Sequence, residues 1–161
     1  RIKMPLKQGK SLDKLDYAIL NALQRDGRMT IADLSKQVNL SATPCTERMK
    51  SLEQRGHIKG YRAELNPSQL SLGLLVFVEI SLIRTSPDVF DDFRRAVIKL
   101  PQLLECHLVS GNFDYLIKAR VADMTAYRKL LGETLLTLPG VSDSRTYVVM
   151  EEVKETQVLP I

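Results

Sequence analysis

Apolar positions along the chain change rhythm near residue 73, from helical spacing before it to alternation after it. Leu12, Leu15, Ile19, Leu20 and Leu23 recur at three- and four-residue intervals and predict a helix that Ser11 caps and Gly27 ends. Ile31, Leu34 and Val38 (i, i+3, i+7) predict a short second helix. Asn39-Leu40-Ser41 then reads as a tight turn, because Asn best tolerates left-handed backbone among non-glycine residues. Ser41 is placed to cap a third helix, with Pro44 in its first turn, where a missing N–H costs nothing. Cys45, Met49 and Leu52 mark the buried stripe of that helix. After Gly56, the alternation of Ile58, Tyr61, Ala63 and Leu65 predicts a strand, a wing or exit ribbon, before Asn66-Pro67-Ser68 punctuates the chain.

Beyond Gly73 the pattern predicts strand, helix, strand, strand, helix, strand. Leu74–Leu82 alternates, and a helix starting at Pro87 carries Val89, Phe93, Val97 and Leu100. Leu103–Val109 reads as a strand that turns at Gly111-Asn112 into another, Tyr115–Val121. Asp123 caps a helix running through Tyr127, Leu130, Leu131, Leu135 and Leu138, which Pro139-Gly140 stops; Thr146–Val153 closes as a strand. Leu100-Pro101 and Leu138-Pro139 each end a helix before a strand, an internal echo of the βαββαβ, ferredoxin-like arrangement. The expected fold is therefore α+β: a winged helix-turn-helix over residues 11–60, a linker over 61–72 and a βαββαβ domain over 73–155. Its one sheet, with helices on one side, leaves a second face offering Phe77, Val109, Tyr147 and Val149 beside Glu79 and Glu151. Such a face predicts a twofold dimer.

Charge sharpens the N-terminal reading. Residues 1–65 carry 13 Lys and Arg against 7 Asp and Glu, and the rest of the chain 10 against 12. A basic third on a slightly acidic remainder is what a domain facing phosphate requires. Ser41, Thr43, Thr46, Glu47, Arg48 and Lys50 lie off the apolar stripe of the third helix, and hydroxyls and cations there suit phosphate and base-edge contacts. The alternative is a plain αα-hairpin with a solvated face. The N-terminal stretch RIKMPLKQGKSLD reads as a basic arm without the apolar core of a secretory signal, and no apolar run approaches the roughly 20 residues of a membrane span. Two cysteines make neither a disulfide framework nor a metal quartet, so the cytoplasm is the expected compartment.

An enzyme would need a constellation, and the sequence offers none. His57 follows a helix exit, and His107 beside Cys106 on one strand points to the opposite face, so the two cannot act as nucleophile and base. Glycine-rich phosphate loops and paired-cysteine metal spacings are absent from the sequence, and the pairs Asp91-Asp92 and Glu151-Glu152 read as solvated or oligomer-rim charges. Ser110–Tyr115 is the remaining candidate. Gly111 and Asn112 could hold a carboxylate on turn amides while Asp114 accepts an ammonium, the chemistry of a free amino acid. A simple hairpin turn that Asp114 caps fits the same residues.

The segments LDKLDYAILNALQRDGR, LSATPCTERMKSLEQRGHIKGY, LLVFVEI, ECHLVSGNFDYLIKARV, YRKLLGETLL, LPGV and RTYVVMEEVK together resemble the Lrp/AsnC-type (feast/famine) bacterial regulators, from about Leu12 to Lys154. Asn39 and Ala42 depart from the pattern at the turn, and Asn112 stands where an acidic residue is frequent. The resemblance implies a cytoplasmic, nucleoid-associated transcription regulator, activator or repressor, that is not an enzyme and carries no cofactor or metal. It also implies binding of double-stranded DNA and of an amino-acid effector, leucine first, and self-assembly to a dimer and then an octamer. The effector residues it implies are Gly111, Asn112 and Asp114 with the facing strand Thr146, Tyr147, Val148 and Val149, and Met124 as an apolar neighbour. Two alternatives are a nucleoid-architectural protein with a vestigial ligand loop and an amino-acid-binding regulatory subunit of an enzyme.

Overall fold

The structure is a computed structural model that describes residues 11–161; the basic arm expected over 1–10 lies outside them. The chain forms two compact units, one built from residues up to Glu64 together with Glu155–Ile161, the other from Leu65–Lys154.

In the first unit, helices α1 (Lys14–Arg25), α2 (Ile31–Gln37) and α3 (Ala42–Gln54) enclose a small core. Ile19, Leu34, Cys45 and Leu52 are at most 1% exposed, and Met49 and Ile58 pack against them. Asp13, rather than the expected Ser11, caps α1. Its carboxylate accepts the Asp16 N–H at 2.9 Å while Asp16 accepts the Asp13 N–H at 3.2 Å, a reciprocal capping box. Between α2 and α3 the backbone turns through Asn39 at φ 54°, left-handed as its side chain permits. Ser41 holds the N-cap position of α3, but its hydroxyl makes no capping bond.

The expected strand after Gly56 is absent. Gly56 (φ 75°) ends α3, and the His57 and Ile58 N–H groups both turn back to the Leu52 carbonyl. Tyr61 then donates to Glu53 Oε1 at 3.0 Å, with its ring against Gly27. An alternating pattern makes a strand only beside a ladder partner, and among the described residues 57–65 pair with none. Gly27 itself sits beyond the end of α1 without left-handed backbone. Within the expected linker, Ser68–Leu70 forms one 3₁₀ turn that Asn66 Oδ1 caps.

The second unit is the expected βαββαβ: β1 (Leu74–Leu82), α4 (Pro87–Val97), β2 (Leu103–Leu108), β3 (Tyr115–Val121), α5 (Met124–Glu133) and β4 (Val141–Val148). The antiparallel sheet runs β2-β3-β1-β4. Val76, Val78, Ile80, Ile117 and Ala119 pack beneath α4 and α5, where Phe93 stacks on Tyr115 at 4.4 Å. Two boundaries differ from expectation. The last helix stops at Glu133, with a 3₁₀ turn at Leu135–Thr137, and β4 starts directly after Gly140 and ends at Val148 instead of running from Thr146 to Val153.

Candidate DNA-binding and effector sites

Thr43, Thr46, Glu47 and Lys50 follow one another at i, i+3, i+4 and i+7 on α3, a single stripe; Thr43, Glu47 and Lys50 are exposed, and Ser41 stands exposed just before the helix. The Thr46 hydroxyl donates to the Ala42 carbonyl at 2.8 Å, so it faces its own helix as well as solvent.

Arg48 does something other than project from this stripe. Its Nη1 lies 2.8 Å from Asp13 Oδ2 and 2.7 Å from Asp16 Oδ1. The other oxygen of each carboxylate is already taken by the capping box, so all four oxygens are engaged and α3 is fastened to the start of α1. The Asp13 carboxyl is held below its ordinary value of 3.8, first by the Asp16 N–H and then by Arg48, and the Arg48 guanidinium is raised in turn by the two aspartates. The expectation that Arg48 is an outward DNA cation is therefore revised: it is an anchor. The sequence signals half of this pairing: Asp16 interrupts the apolar stripe Leu12, Ile19, Leu23 at helical spacing, and a charge there calls for a partner, but nothing in the pattern singles out Arg48 as that partner.

The residues expected at the effector site fall into two groups. The turn between β2 and β3 holds Gly111 (φ 156°) and Asn112, both exposed, and Asp114. Asp114 knits the turn to the end of β1: its N–H donates to Ile80 O at 2.9 Å, its carbonyl accepts from Val109 N–H at 3.0 Å, and its Oδ2 accepts from Leu82 N–H at 2.7 Å. The second group lies toward the other end of β1, where Thr146 pairs with Val78, Tyr147 with Phe77 and Val148 with Val76, while the Val149 N–H donates to Leu75 O. Met124 opens α5 at that same end, three residues after Val121, which pairs with Leu74. At about 3.4 Å per residue the groups are on the order of 10–15 Å apart. Thr146 meets the Tyr127 hydroxyl on the helix-covered face, whereas Tyr147 points to the other face and donates to Glu79 Oε1 at 3.0 Å. A depression of about 350 Å³ in this unit is lined by Leu72, Gln102, Lys129 and Glu133 among others, and by none of the expected effector residues.

The uncovered sheet face carries Phe77, Glu79 and Tyr147 as expected, joined by Glu105 and His107, which bond each other at 3.1 Å. Glu152 is exposed at the border of this face and pins the chain beyond β4 to it through two bonds from Arg120, at 2.9 and 2.6 Å. Cys106 faces the helices, and burial pushes its thiol up to about 11, so Cys106 and His107 diverge. Among the described residues no group of His, Cys, Asp and Glu is placed to hold a metal, and no helix is long and apolar enough to cross a membrane.

Residues 12–59 match the winged helix-turn-helix DNA-binding family, and residues 75–159 match the Lrp/AsnC ligand binding domain. The chain is 63% identical over 155 residues to the leucine-responsive regulatory proteins of Escherichia coli K12 and Salmonella typhimurium, covering 96% of this chain and 94% of each relative. The chain belongs to the Lrp/AsnC family.

Solved structures of transcriptional regulators share the fold. A Neisseria meningitidis transcriptional regulator in complex with L-Met superposes at TM-score 0.89 with 41% identity, covering 93% of this chain and 97% of that one. An AsnC family regulator from Agrobacterium tumefaciens superposes at 0.88 with 34% identity, covering 92% and 97%. As an Lrp/AsnC member the chain is a transcriptional regulator and not an enzyme, with a DNA-binding domain ahead of an amino-acid ligand-binding domain.

Proposed function

We propose that this regulator reads DNA with Ser41, Thr43, Thr46, Glu47 and Lys50 and answers to a small apolar amino acid, leucine first. The observation that carries the DNA reading is the single polar stripe on α3, held by a turn at Asn39 and by the Arg48 anchor. The leucine reading is supported by relatives named for that response, and methionine is a second probe because a related regulator binds it.

The effector site is proposed at a contact between copies of the chain. Gly111, Asn112 and Asp114 would meet the ligand's carboxylate and ammonium, with Met124 and Thr146–Val149 supplied from elsewhere in the assembly. The separation of the two groups along β1 favours this, because one protomer alone does not bring them around one molecule. Dimerisation is proposed through the face of Phe77, Glu79 and Tyr147, with further assembly through the effector contacts; a twofold dimer suits paired half-sites on DNA. The cytoplasm, and the nucleoid within it, is the proposed location.

A gel shift on a duplex selected for binding, with excess competitor DNA and with or without each of the twenty amino acids, leucine and methionine first, tests this reading. Selective retention that an amino acid alters is the expected result. Selective binding indifferent to all twenty amino acids would favour the architectural alternative.

A further inference from the structure

The DNA-binding unit is discontinuous in sequence: the chain leaves it after Glu64 and re-enters it at Glu155. The returning segment docks on α1 through its backbone. Gln24 uses both ends of its side-chain amide on one residue, accepting the Leu159 N–H at 2.8 Å and donating to the Leu159 carbonyl at 2.9 Å. One helical turn earlier, Asn21 donates to the Ile161 carbonyl, and its own oxygen accepts from Gln24 at 2.9 Å. The Leu159 carbonyl also receives the Ile161 N–H, and Thr156 Oγ1 takes the Val158 N–H at 3.1 Å. Two amides three residues apart on a helix thus present donors and acceptor as a strand edge does. The apolar side chains of the segment stay in water, Leu159 at 63% exposed and Ile161 at 47%. The recognition is of main chain, through exposed hydrogen bonds, which makes it releasable.

We propose that Asn21 and Gln24 form a peptide-binding surface whose occupant is this chain's own 158–161 segment, and that the docked strap is a second connection by which the ligand-binding unit acts on the DNA-binding unit. The segment continues from β4, the proposed effector strand, past the Glu152–Arg120 pin to α1, and α1 is fastened to α3 by Arg48. Strain in β4 therefore has a second route to the helix that reads DNA, covalent as far as the strap and carried beyond it by the Gln24 and Asn21 hydrogen bonds and the Arg48 ion pairs, beside the one through residues 65–72. This rests on the amino-acid reading above for its regulatory half only.

The test uses the full chain with Gln24→Ala and Gln24→Glu; the second keeps the acceptor for Leu159 N–H but sets a carboxylate against the Leu159 carbonyl. Amide exchange at Leu159 should be slow in the wild type and about three- to tenfold faster in both variants, the range that the net loss of one hydrogen bond gives. Calorimetry with leucine and methionine should show unchanged amino-acid affinity, while the effect of either on DNA affinity shrinks. Unchanged Leu159 exchange in both variants would overturn the docking. Exchange protection that rises with protein concentration would place the strap on a neighbouring copy and overturn the assignment within one chain. A full amino-acid effect on DNA binding in a variant whose strap is released would overturn the coupling. Absence of heat with any amino acid in the wild type would instead overturn the amino-acid reading and the coupling with it, leaving the docking to be judged by exchange alone.

Discussion

Replacing Arg48 with alanine should weaken the DNA-binding unit's fold more than its contact with phosphate. The guanidinium is the charged partner of Asp16, whose side chain is 11% exposed, and it also reaches Asp13 at the surface. A hydrogen bond to a charged group contributes about 1.5–3 kcal/mol. The 3–5 kcal/mol typical of breaking a fully buried ion pair is not reached, because Arg48 keeps 29% of its side chain in water. The surface bond to Asp13 adds little. A loss of about 1.5–3 kcal/mol is thus expected, and each kcal/mol lowers the melting midpoint by about 4–8 °C in a domain of 60–100 residues. Scanning calorimetry of the full chain, paired with salt titrations of DNA binding, separates the two roles. Arg48→Ala should melt earlier with an unchanged salt slope. Lys50→Ala should melt like the wild type and lose about one unit of slope, as one phosphate contact does. The opposite pattern, a wild-type melt for Arg48→Ala with the slope one unit shallower, would refute the anchor and restore Arg48 to the DNA surface.

The depressed Asp13 carboxyl contributes stability that is complete above the ordinary aspartate value of 3.8 and is lost as pH falls through its lower folded value. Acid melts followed by circular dichroism should therefore show Asp13→Asn flattening the loss below about pH 3.8, and parallel curves would remove Asp13 from the acid response. Gly140→Ala should cost about 2–5 kcal/mol, combining a left-handed penalty of about 1–2 with overpacking of about 1–3, since the backbone there has φ 75° and a Cβ would sit 2.5 Å from Val89 Cγ1; a urea midpoint within error of the wild type would contradict this. Asp114→Asn should cost about 1 kcal/mol through the weakened Leu82 bond and should abolish leucine binding by calorimetry. Equal leucine affinity in both proteins would take Asp114 out of the site.

Sequence periodicity reached the helices and the inner strands because their partners are built into the pattern. Val76, Val78 and Ile80 alternate under two helices, and Pro87, Asp123 and Gly140 mark ends by local chemistry: a fixed φ, a side-chain cap and a left-handed turn. It failed where a neighbour decides. Ser142, Asp143, Ser144 and Arg145 look like loop, yet they belong to β4, a sheet edge where polar residues are tolerated. Ile58–Leu65 alternates like a strand and pairs with no other strand among the described residues. Arg48 looks like a surface cation on any projection of α3, because the carboxylates that hold it lie 32 and 35 residues away. Gln24 gave no sign at all: its partner is a backbone 135 residues downstream, and backbone leaves no mark in side-chain pattern.

The discontinuous DNA-binding unit has a consequence for how the molecule is born. Domains generally fold in the order they leave the ribosome, so α1, α2 and α3 can close their core while the whole ligand-binding unit is still being synthesised. The amides of Asn21 and Gln24 must wait in water until the last stretch of the described chain emerges. A nascent regulator therefore passes through an interval in which its helix-turn-helix is folded but unstrapped, able to meet nucleic acid before any effector can govern it. A gene truncated after Glu64 would encode that interval permanently.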